Sequence, residues 1–135
     1  MIGDRAFIGC NNLKTILVSS DNPYFKSVEG VLFNKNGSKL ICYPSCKKET
    51  SYIIPDNVKS VGDSAFSYCS SLSSITLPNS VTSIGDSAFL YCSSLLSVTL
   101  PNSVTSIDNS AFSFCYIIIN NSPKLRFINW KICFF

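Results

Sequence analysis

The sequence predicts a solenoid built mainly from β-strands, and three observations lead to that prediction. One hexapeptide pattern recurs with starts at Val61, Ile84 and Ile107, which are 23 residues apart each time. Apolar and polar residues alternate at the centre of each repeat, as is typical of a half-buried strand. Hydrophobic residues make up 46% of the 135 positions, which is enough for a buried core and excludes wholesale disorder.

Each repeat is expected to contribute one strand to a parallel ladder. Within residues 72–77, Ile75 and Leu77 lie on the same face because strand residues alternate, so Ser74 and Thr76 point the other way. One coil cannot bury its apolar face alone, whereas stacked coils bury it against one another, with strands about 4.8 Å apart. The pattern therefore predicts about five to six stacked coils.

The rest of each coil is predicted to hold a turn and a short helix. Pro78-Asn79 is typical of a turn, because proline fixes φ and cannot donate to a ladder. Asp86 is expected to begin a short helix as its N-cap, and Asp63 has the same position one repeat earlier. A phenylalanine and a cysteine follow in every repeat, and both are expected to point inward as structural residues. They are Phe7, Phe66, Phe89 and Phe112, and Cys10, Cys69, Cys92 and Cys115.

The region between the first copy, which begins at Ile2, and the copy at Val61 interrupts the period. It contains two apolar runs around Asn36-Gly37, a pattern that predicts a β-hairpin. The predicted organisation is a solenoid over residues 1–115, with an irregular hairpin-containing unit at about 25–60. Residues 116–135 depart from the repeat and form a divergent C-terminal tail, either a terminal cap or a truncated end.

The repeats resemble the BspA-type leucine-rich repeat family of bacterial and protist surface proteins. The stretch from Ile84 to Val104 follows its pattern of Ile-Gly-x-x-Ala-Phe-x-x-Cys-x-x-Leu-x-x-Ile-x-Leu-Pro-x-Ser-Val almost throughout. Residues 22–25 and 30–33 resemble the insertion that recurs in that family. The resemblance, which extends to about Cys115, implies a leucine-rich repeat solenoid that serves in adhesion or host-surface recognition without catalysis. It supplies no ligand-contact residue for this chain.

The repeated cysteines and aspartates are interpreted as structural. A buried cysteine behaves as a small apolar residue. A disulfide between Cys69 and Cys92 is an alternative in an oxidising compartment, since adjacent strands are close enough for one. No Cys-x-x-Cys pair supports a metal site. Stacked Asp63 and Asp86 supply too few oxygens for a hard cation, so helix capping is the better account. No metal and no cofactor is predicted.

Composition excludes several function classes. The chain has no histidine, which removes Ser-His-Asp and Cys-His catalysis and His-ligated metal sites. Without an acid–base or nucleophile constellation, the chain is not expected to be an enzyme. A net charge of +3 with 14% charged residues forms no basic stripe, which argues against nucleic acid as a partner. No apolar run approaches the roughly 20 residues of a membrane span.

The outward strand residues are the candidate binding face, because solenoids bind partners through extended repeated surfaces. A solvated β-surface that binds nothing explains the same residues equally well. The members are Thr15 and Leu17 in the first copy, Ser74 and Thr76 in the next, and Ser97 and Thr99 in the one after.

The predicted function is that of a non-enzymatic protein-binding module of a cell-surface adhesin. Its partner is expected to be a host surface or matrix protein, or another repeat protein. The alternatives are an intracellular scaffold for protein–protein interaction and a non-functional fragment of a larger repeat protein. A location at the cell surface or outside the cell requires a signal in a longer protein, and a complete chain would be cytoplasmic. Self-association is also expected, since uncapped end coils expose apolar faces.

Overall fold

The computed structural model describes residues 1–3, 5–108, 110–115 and 118–120, the last as backbone alone. Ten strands form two sheets in this part of the chain, and the regular portion makes about three turns of roughly 23 residues each. The predicted β-solenoid is thereby confirmed. Among the described residues, no helix has the length and apolar character needed to cross a membrane.

The first sheet joins the interrupted unit to the regular turns. Its strands β1, β2 and β3 are antiparallel, and β3, β5, β7 and β9 follow in that order as parallel neighbours. The strands are β1 (Phe25–Val28), β2 (Val31–Asn34), β3 (Lys39–Cys42), β5 (Ser60–Val61), β7 (Ser83–Ile84) and β9 (Ser106–Ile107).

The second sheet is parallel throughout, in the order β10-β8-β6-β4. Its inward residues Ile75 and Val98 are buried, whereas the residues on either side of each are exposed. Residues 116–135 were predicted to depart from the repeat, yet β10 pairs in parallel with β8. The rest of that tail, including the predicted cap, lies outside the described residues. The strands are β4 (Ser51–Ile53), β6 (Ser74–Thr76), β8 (Ser97–Thr99) and β10 (Ile118–Asn120).

The predicted hairpin is confirmed, since β2 and β3 pair around Asn36-Gly37 and Gly37 has a φ of 76°. A second hairpin, between β1 and β2, was not predicted. Its turn residues Glu29 and Gly30 have φ values of 51° and 80°, the pair of positive angles that a tight type I′ hairpin turn requires. The interrupted unit is therefore a three-stranded antiparallel excursion.

The prediction of short helices is wrong for the described residues, which form consecutive turns instead. We call residues 3 and 5–10, residues 62–69, residues 85–92, and residues 108 and 110–115 the first to fourth turn segments. In the second segment Ser64 and Tyr68 have φ values of 56° and 62°, and Ser87 and Tyr91 repeat this in the third. Left-handed residues this close together interrupt a right-handed helix, and the conformation costs about 1–2 kcal/mol at a residue other than glycine.

Hydrogen bonds between turn segments compensate for this backbone strain. Alternate N–H groups close turns within a segment, as when Ala65 donates to Gly62 at 3.2 Å and Ser67 donates to Ser64 at 3.1 Å. The N–H groups between them donate to the next segment, so every N–H group from Ser64 to Cys69 has a partner. The donors Ser64, Phe66 and Tyr68 meet the carbonyl oxygens of Asp86, Ala88 and Leu90 at 2.9, 2.7 and 2.7 Å.

The aspartate column also joins turns rather than capping helices, which corrects the predicted role. The carboxylate of Asp63 accepts a hydrogen bond at 2.9 Å from the backbone N–H of Asp86, one turn further on. Glycine at position 85 permits this approach. A Cβ atom there would lie 2.7 Å from the backbone nitrogen of Asp63 and 2.8 Å from the carbonyl carbon of Gly62. The side chain of Asp86 forms an ion pair with Arg5.

A stack of aromatic rings runs through the core along the solenoid axis. The ring centroids of Phe66 and Phe89 are 5.0 Å apart, and Phe112 continues the stack at 5.0 Å with its ring within 1° of parallel. On the other side Tyr43, from the interrupted unit, stacks on Phe66 at 5.2 Å. The column therefore links the irregular unit to the regular turns. Phe7 of the first copy is only half-buried.

Candidate functional site

The outward face of the second sheet carries a regular array of hydroxyl groups. Ser74 pairs in register with Ser97, and Thr76 pairs with Thr99, so the four side chains form two columns of like residues. All four are exposed because their strand neighbours take the inward positions. On β4, Ser51 pairs in register with Ser74, and Ile53, whose exposed fraction is 73%, pairs with Thr76.

The structure does not place Thr15 and Leu17 in this sheet, although both are exposed. The N–H of Ile16 donates to the carbonyl of Gly30 at 2.9 Å, so this segment lies against the turn between β1 and β2. A Cβ atom on Gly30 would lie 3.2 Å from that of Thr15. The exposed fraction of the Leu17 side chain is 84%. The six predicted face residues therefore separate into the four residues of the hydroxyl array, Thr15 against the turn between β1 and β2, and an apolar projection at Leu17.

The hydroxyl groups of the array are available to a ligand. Within the described part of the chain, the side chains of Ser74, Thr76, Ser97 and Thr99 make no hydrogen bond. A hydroxyl both donates and accepts, and the ladder repeats these groups about every 4.8 Å. The array lacks charge, so shape and hydrogen bonding determine which partner it fits. The exposed side chain of Ile53 adds an apolar contact at its edge.

A second repeated surface was missed by the sequence reasoning. The rings of Tyr68 and Tyr91 stack at 5.0 Å, and Phe114 continues the stack at 4.4 Å with its ring within 3° of parallel. These side chains are 38%, 39% and 53% exposed, respectively. We call these three rings the outer aromatic ladder. The available signal was the recurrence of an aromatic residue directly before the repeated cysteine.

The cysteine column is buried in the regular turns. The Cys92 thiol donates to the carbonyl of Phe66 at 3.1 Å, and the Cys115 thiol to that of Phe89 at 2.7 Å. A hydrogen bond with Cys115, and then burial, raises the pKa of the Cys92 thiol, while burial raises that of Cys69. These thiols stay protonated at neutral pH, which makes them poor nucleophiles and metal ligands. Cys10 is exposed and lies outside the buried column.

Comparisons with known proteins agree with this geometry. A family model described as the BspA type leucine-rich repeat region matches residues 39–132 in six copies. No curated protein matches the chain. Among solved structures, a leucine-rich repeat protein from Eubacterium ventriosum is 35% identical, with a TM-score of 0.72. That match covers 88% of this chain and 32% of the other.

Two further structures share the fold. The pneumococcal vaccine antigen PcpA is 26% identical with a TM-score of 0.67, and the match covers 80% of this chain and 33% of that one. A leucine-rich repeat protein from Bacteroides capillosus is 22% identical with a TM-score of 0.57, covering 73% and 99% respectively. The chain thus spans about a third of the length of the first two structures.

Proposed function

The chain belongs to the BspA-type leucine-rich repeat family, and from that premise we propose that it is a protein-binding module of a cell-surface adhesin. The binding surface is the outward face of the second sheet, centred on Thr76 and Thr99, with Ile53 at its edge. The single observation that carries this assignment is the register that aligns exposed, unbonded hydroxyls of successive turns.

The chemistry of the face favours a protein partner. Hydroxyl side chains exchange hydrogen bonds with the backbone and side chains of a facing protein surface. The exposed side chains of Ile53 and Leu17, at 73% and 84%, are the kind of apolar projection that protein contacts bury. Catalysis is not proposed, because leucine-rich repeats generally serve as binding scaffolds and the buried thiols are protonated. The partner is a host surface or matrix protein, or another repeat protein.

A binding experiment with two matched lysine variants tests the proposal. Thr76→Lys places a charge within the hydroxyl array, and Asn79→Lys places the same charge on an exposed turn beyond the strand. Both proteins are titrated against a panel of purified host matrix and surface proteins. For any partner that binds the unaltered chain, Thr76→Lys should weaken binding about tenfold, as expected for a residue central to an interface, while Asn79→Lys should not.

Two results would contradict the proposal. Equal binding by Thr76→Lys and the unaltered chain would remove the hydroxyl array from the interface. The panel is tested at concentrations up to about 1 mM, which detects interaction energies down to about 4 kcal/mol. If no member of the panel binds the unaltered chain, an adhesin role for this segment is excluded. Circular dichroism of each variant establishes that a loss of binding is not a loss of fold.

A further inference from the structure

A cavity of about 270 Å³ lies between the first two turn segments. One wall is formed by the first turn segment, and the opposite wall by residues 62–64, 67 and 68. Residues 41–43 and 45 of the interrupted unit also line the cavity. We call this cavity the slot. Its volume is close to the lower end of the range of ligand pockets, about 300–1,000 Å³.

The slot exists because the interrupted unit lacks a turn segment of its own. Its backbone still follows the second segment for a short distance, since the N–H of Tyr43 donates to the carbonyl of Ala65 at 2.8 Å. The chain then turns away, and the Ser45 hydroxyl donates to the carbonyl of Cys10 at 3.1 Å. The interrupted unit therefore supplies the core ring, Tyr43, but not the outer aromatic residue and the backbone around it that a turn segment contains.

The first turn segment presents unpaired backbone donors. It has the conformation of the others, with φ values of 62° at Arg5 and 82° at Gly9 and the same bonds within the segment. In the second segment the equivalent N–H groups donate to the following segment. Here the N–H groups of Arg5, Phe7 and Gly9 make no hydrogen bond within the described residues, and all three residues line the slot.

The opposite wall presents backbone acceptors. The carbonyls of Asp86 and Leu90 accept N–H groups from the preceding turn segment. One turn earlier, the equivalent carbonyls of Asp63 and Ser67 accept no backbone N–H in the part of the chain that the structure describes. Ser67 receives only a long contact, 3.9 Å, from the Cys69 thiol. Both residues line the slot.

The outer aromatic ladder also stops at the slot. Tyr91 stacks on Tyr68, which itself lines the slot. The next two ladder positions belong to Ser45, two residues after the inner ring Tyr43, and to Gly9. A Cβ atom on Gly9 would have no other atom within 4 Å. Ser45 therefore has only a small side chain where the ring next to Tyr68 would lie, and there is open space beside Gly9.

We propose that the slot binds an extended segment of a protein partner that carries an aromatic side chain. The backbone of that segment accepts hydrogen bonds from the first turn segment and donates to the carbonyl of Ser67, beside the Tyr43 N–H that already donates to Ala65. Its ring stacks on Tyr68. Free donors on one wall and free acceptors on the other favour a peptide over a ligand that has only one kind of group. This site is separate from the outward face, so either one can fail without the other.

Titration of the full chain with a short peptide tests the proposal. The probe is the acetylated and amidated tetrapeptide Ser-Leu-Tyr-Ser, and its control has alanine in place of the tyrosine. The tyrosine peptide should bind about three- to tenfold more tightly, the range that an aromatic stacking pair provides. Equal binding of the two peptides, or no binding of either, would overturn the proposal.

A pair of variants at one position locates the binding. Ser45→Tyr places a ring in the empty ladder position and should abolish peptide binding, whereas Ser45→Ala removes the same hydroxyl without filling the slot and should preserve it. Thermal melts check that both variants fold. If Ser45→Tyr and Ser45→Ala bind the tyrosine peptide equally, the peptide lies elsewhere and the proposal fails.

Amide hydrogen exchange separates backbone pairing from simple ring stacking. Saturating tyrosine peptide should slow exchange at Arg5, Phe7 and Gly9 by about tenfold or more, because a hydrogen-bonded amide exchanges only on opening. Unchanged exchange at these amides would contradict the backbone pairing. Sedimentation of the free chain tests the other occupant: self-association that Ser45→Tyr abolishes and Ser45→Ala preserves would show that a second copy fills the slot, against the proposal of a partner peptide.

Discussion

The first copy of the repeat and the regular turns share one motif but have different surroundings. Ala65 and Ala88 are buried within stacked turn segments, whereas Ala6, at the same repeat position, is exposed. Phe89 is fully buried between two other rings, and Phe7 is only half-buried. The residues are the same, so the motif does not determine burial. Direct contact with a neighbouring turn segment does.

This difference reflects how a solenoid is stabilised. The energy of a repeat array is roughly a sum of terms for each repeat and for each contact between neighbours. The regular turns gain hydrogen bonds and stacked rings on their shared faces. The first copy lines the slot on that side, so it lacks these contacts. Substitutions in the regular turns should therefore destabilise the protein more than the same substitutions in the first copy.

Truncation of a core ring should show the largest contrast. Phe89→Ala empties a site with 0% exposure in the middle of the stack, and should lower the free energy of unfolding by about 3–5 kcal/mol. Phe7→Ala is the matched variant in the first copy and should cost less than half as much. Urea unfolding of both variants measures the difference, and equal losses would show that stacking does not distinguish the two regions.

Glycine substitution should show a smaller contrast of the same kind. A Cβ atom at Gly85 would come too close to the backbone of the preceding turn, whereas one at Gly3 would meet no atom within 4 Å. Gly85→Ala should therefore cost about 1–3 kcal/mol, as overpacked sites do. Gly3→Ala should be close to neutral in the same urea unfolding measurements. A neutral Gly85→Ala would mean that the turns are not in close contact there.

The hydrogen bond from Asp86 to Asp63 should contribute less again. Asp63→Ala leaves the backbone N–H of Asp86 without its acceptor, and should cost about 1 kcal/mol. Asp63→Asn retains an oxygen acceptor and should recover most of that stability in urea unfolding. If the asparagine variant is as unstable as the alanine variant, the carboxylate acts through its charge rather than through this hydrogen bond.

Alkaline pH should weaken the junction between the two regions. Burial, with a smaller effect from Cys10, raises the pKa of Cys42 from 9.0 to about 12, and burial, with a smaller effect from Glu29, raises that of Tyr52 from 10.0 to about 12. The unfolded chain then loses these protons first, so stability is complete below about pH 9 and falls from there to about pH 12. Melting temperatures at pH 7, 9 and 10.5 check this, and a constant value would contradict it.

The sequence predicted those parts of the fold that depend on local patterns. Alternation at Ile75 and Val98 placed the strands correctly. Asn36-Gly37 located a hairpin because asparagine and glycine favour hairpin turns, and Gly37 has the positive φ that such a turn needs. The helix prediction failed because Asp86-Ser87-Ala88 looks locally like a helix start. The left-handed residues there are stabilised by hydrogen bonds to carbonyl groups one turn away. Helix propensity depends only on neighbouring residues in the sequence, so it cannot reveal such a contact.

The candidate site was predictable to a similar extent. Strand alternation alone is enough to put Ser74 and Thr99 on the outward face. The separation of Leu17 from that face follows from the β1–β2 turn, which the sequence reasoning did not foresee. The slot was also beyond prediction, because it arises from a segment that the interrupted unit lacks. Unmatched backbone groups appear only once the neighbouring turns have been placed.

Amide hydrogen exchange of the free full chain tests the central claim most directly, because it reads the bonds between turn segments residue by residue. In the second segment, the amides of Ser64, Phe66 and Tyr68 should be protected by the third segment. Their equivalents Arg5, Phe7 and Gly9 should exchange at least about a hundredfold faster, since they do not need an opening event to exchange. Equal protection in the two segments would contradict the claim that contact with a following turn, rather than the repeated motif, determines local stability.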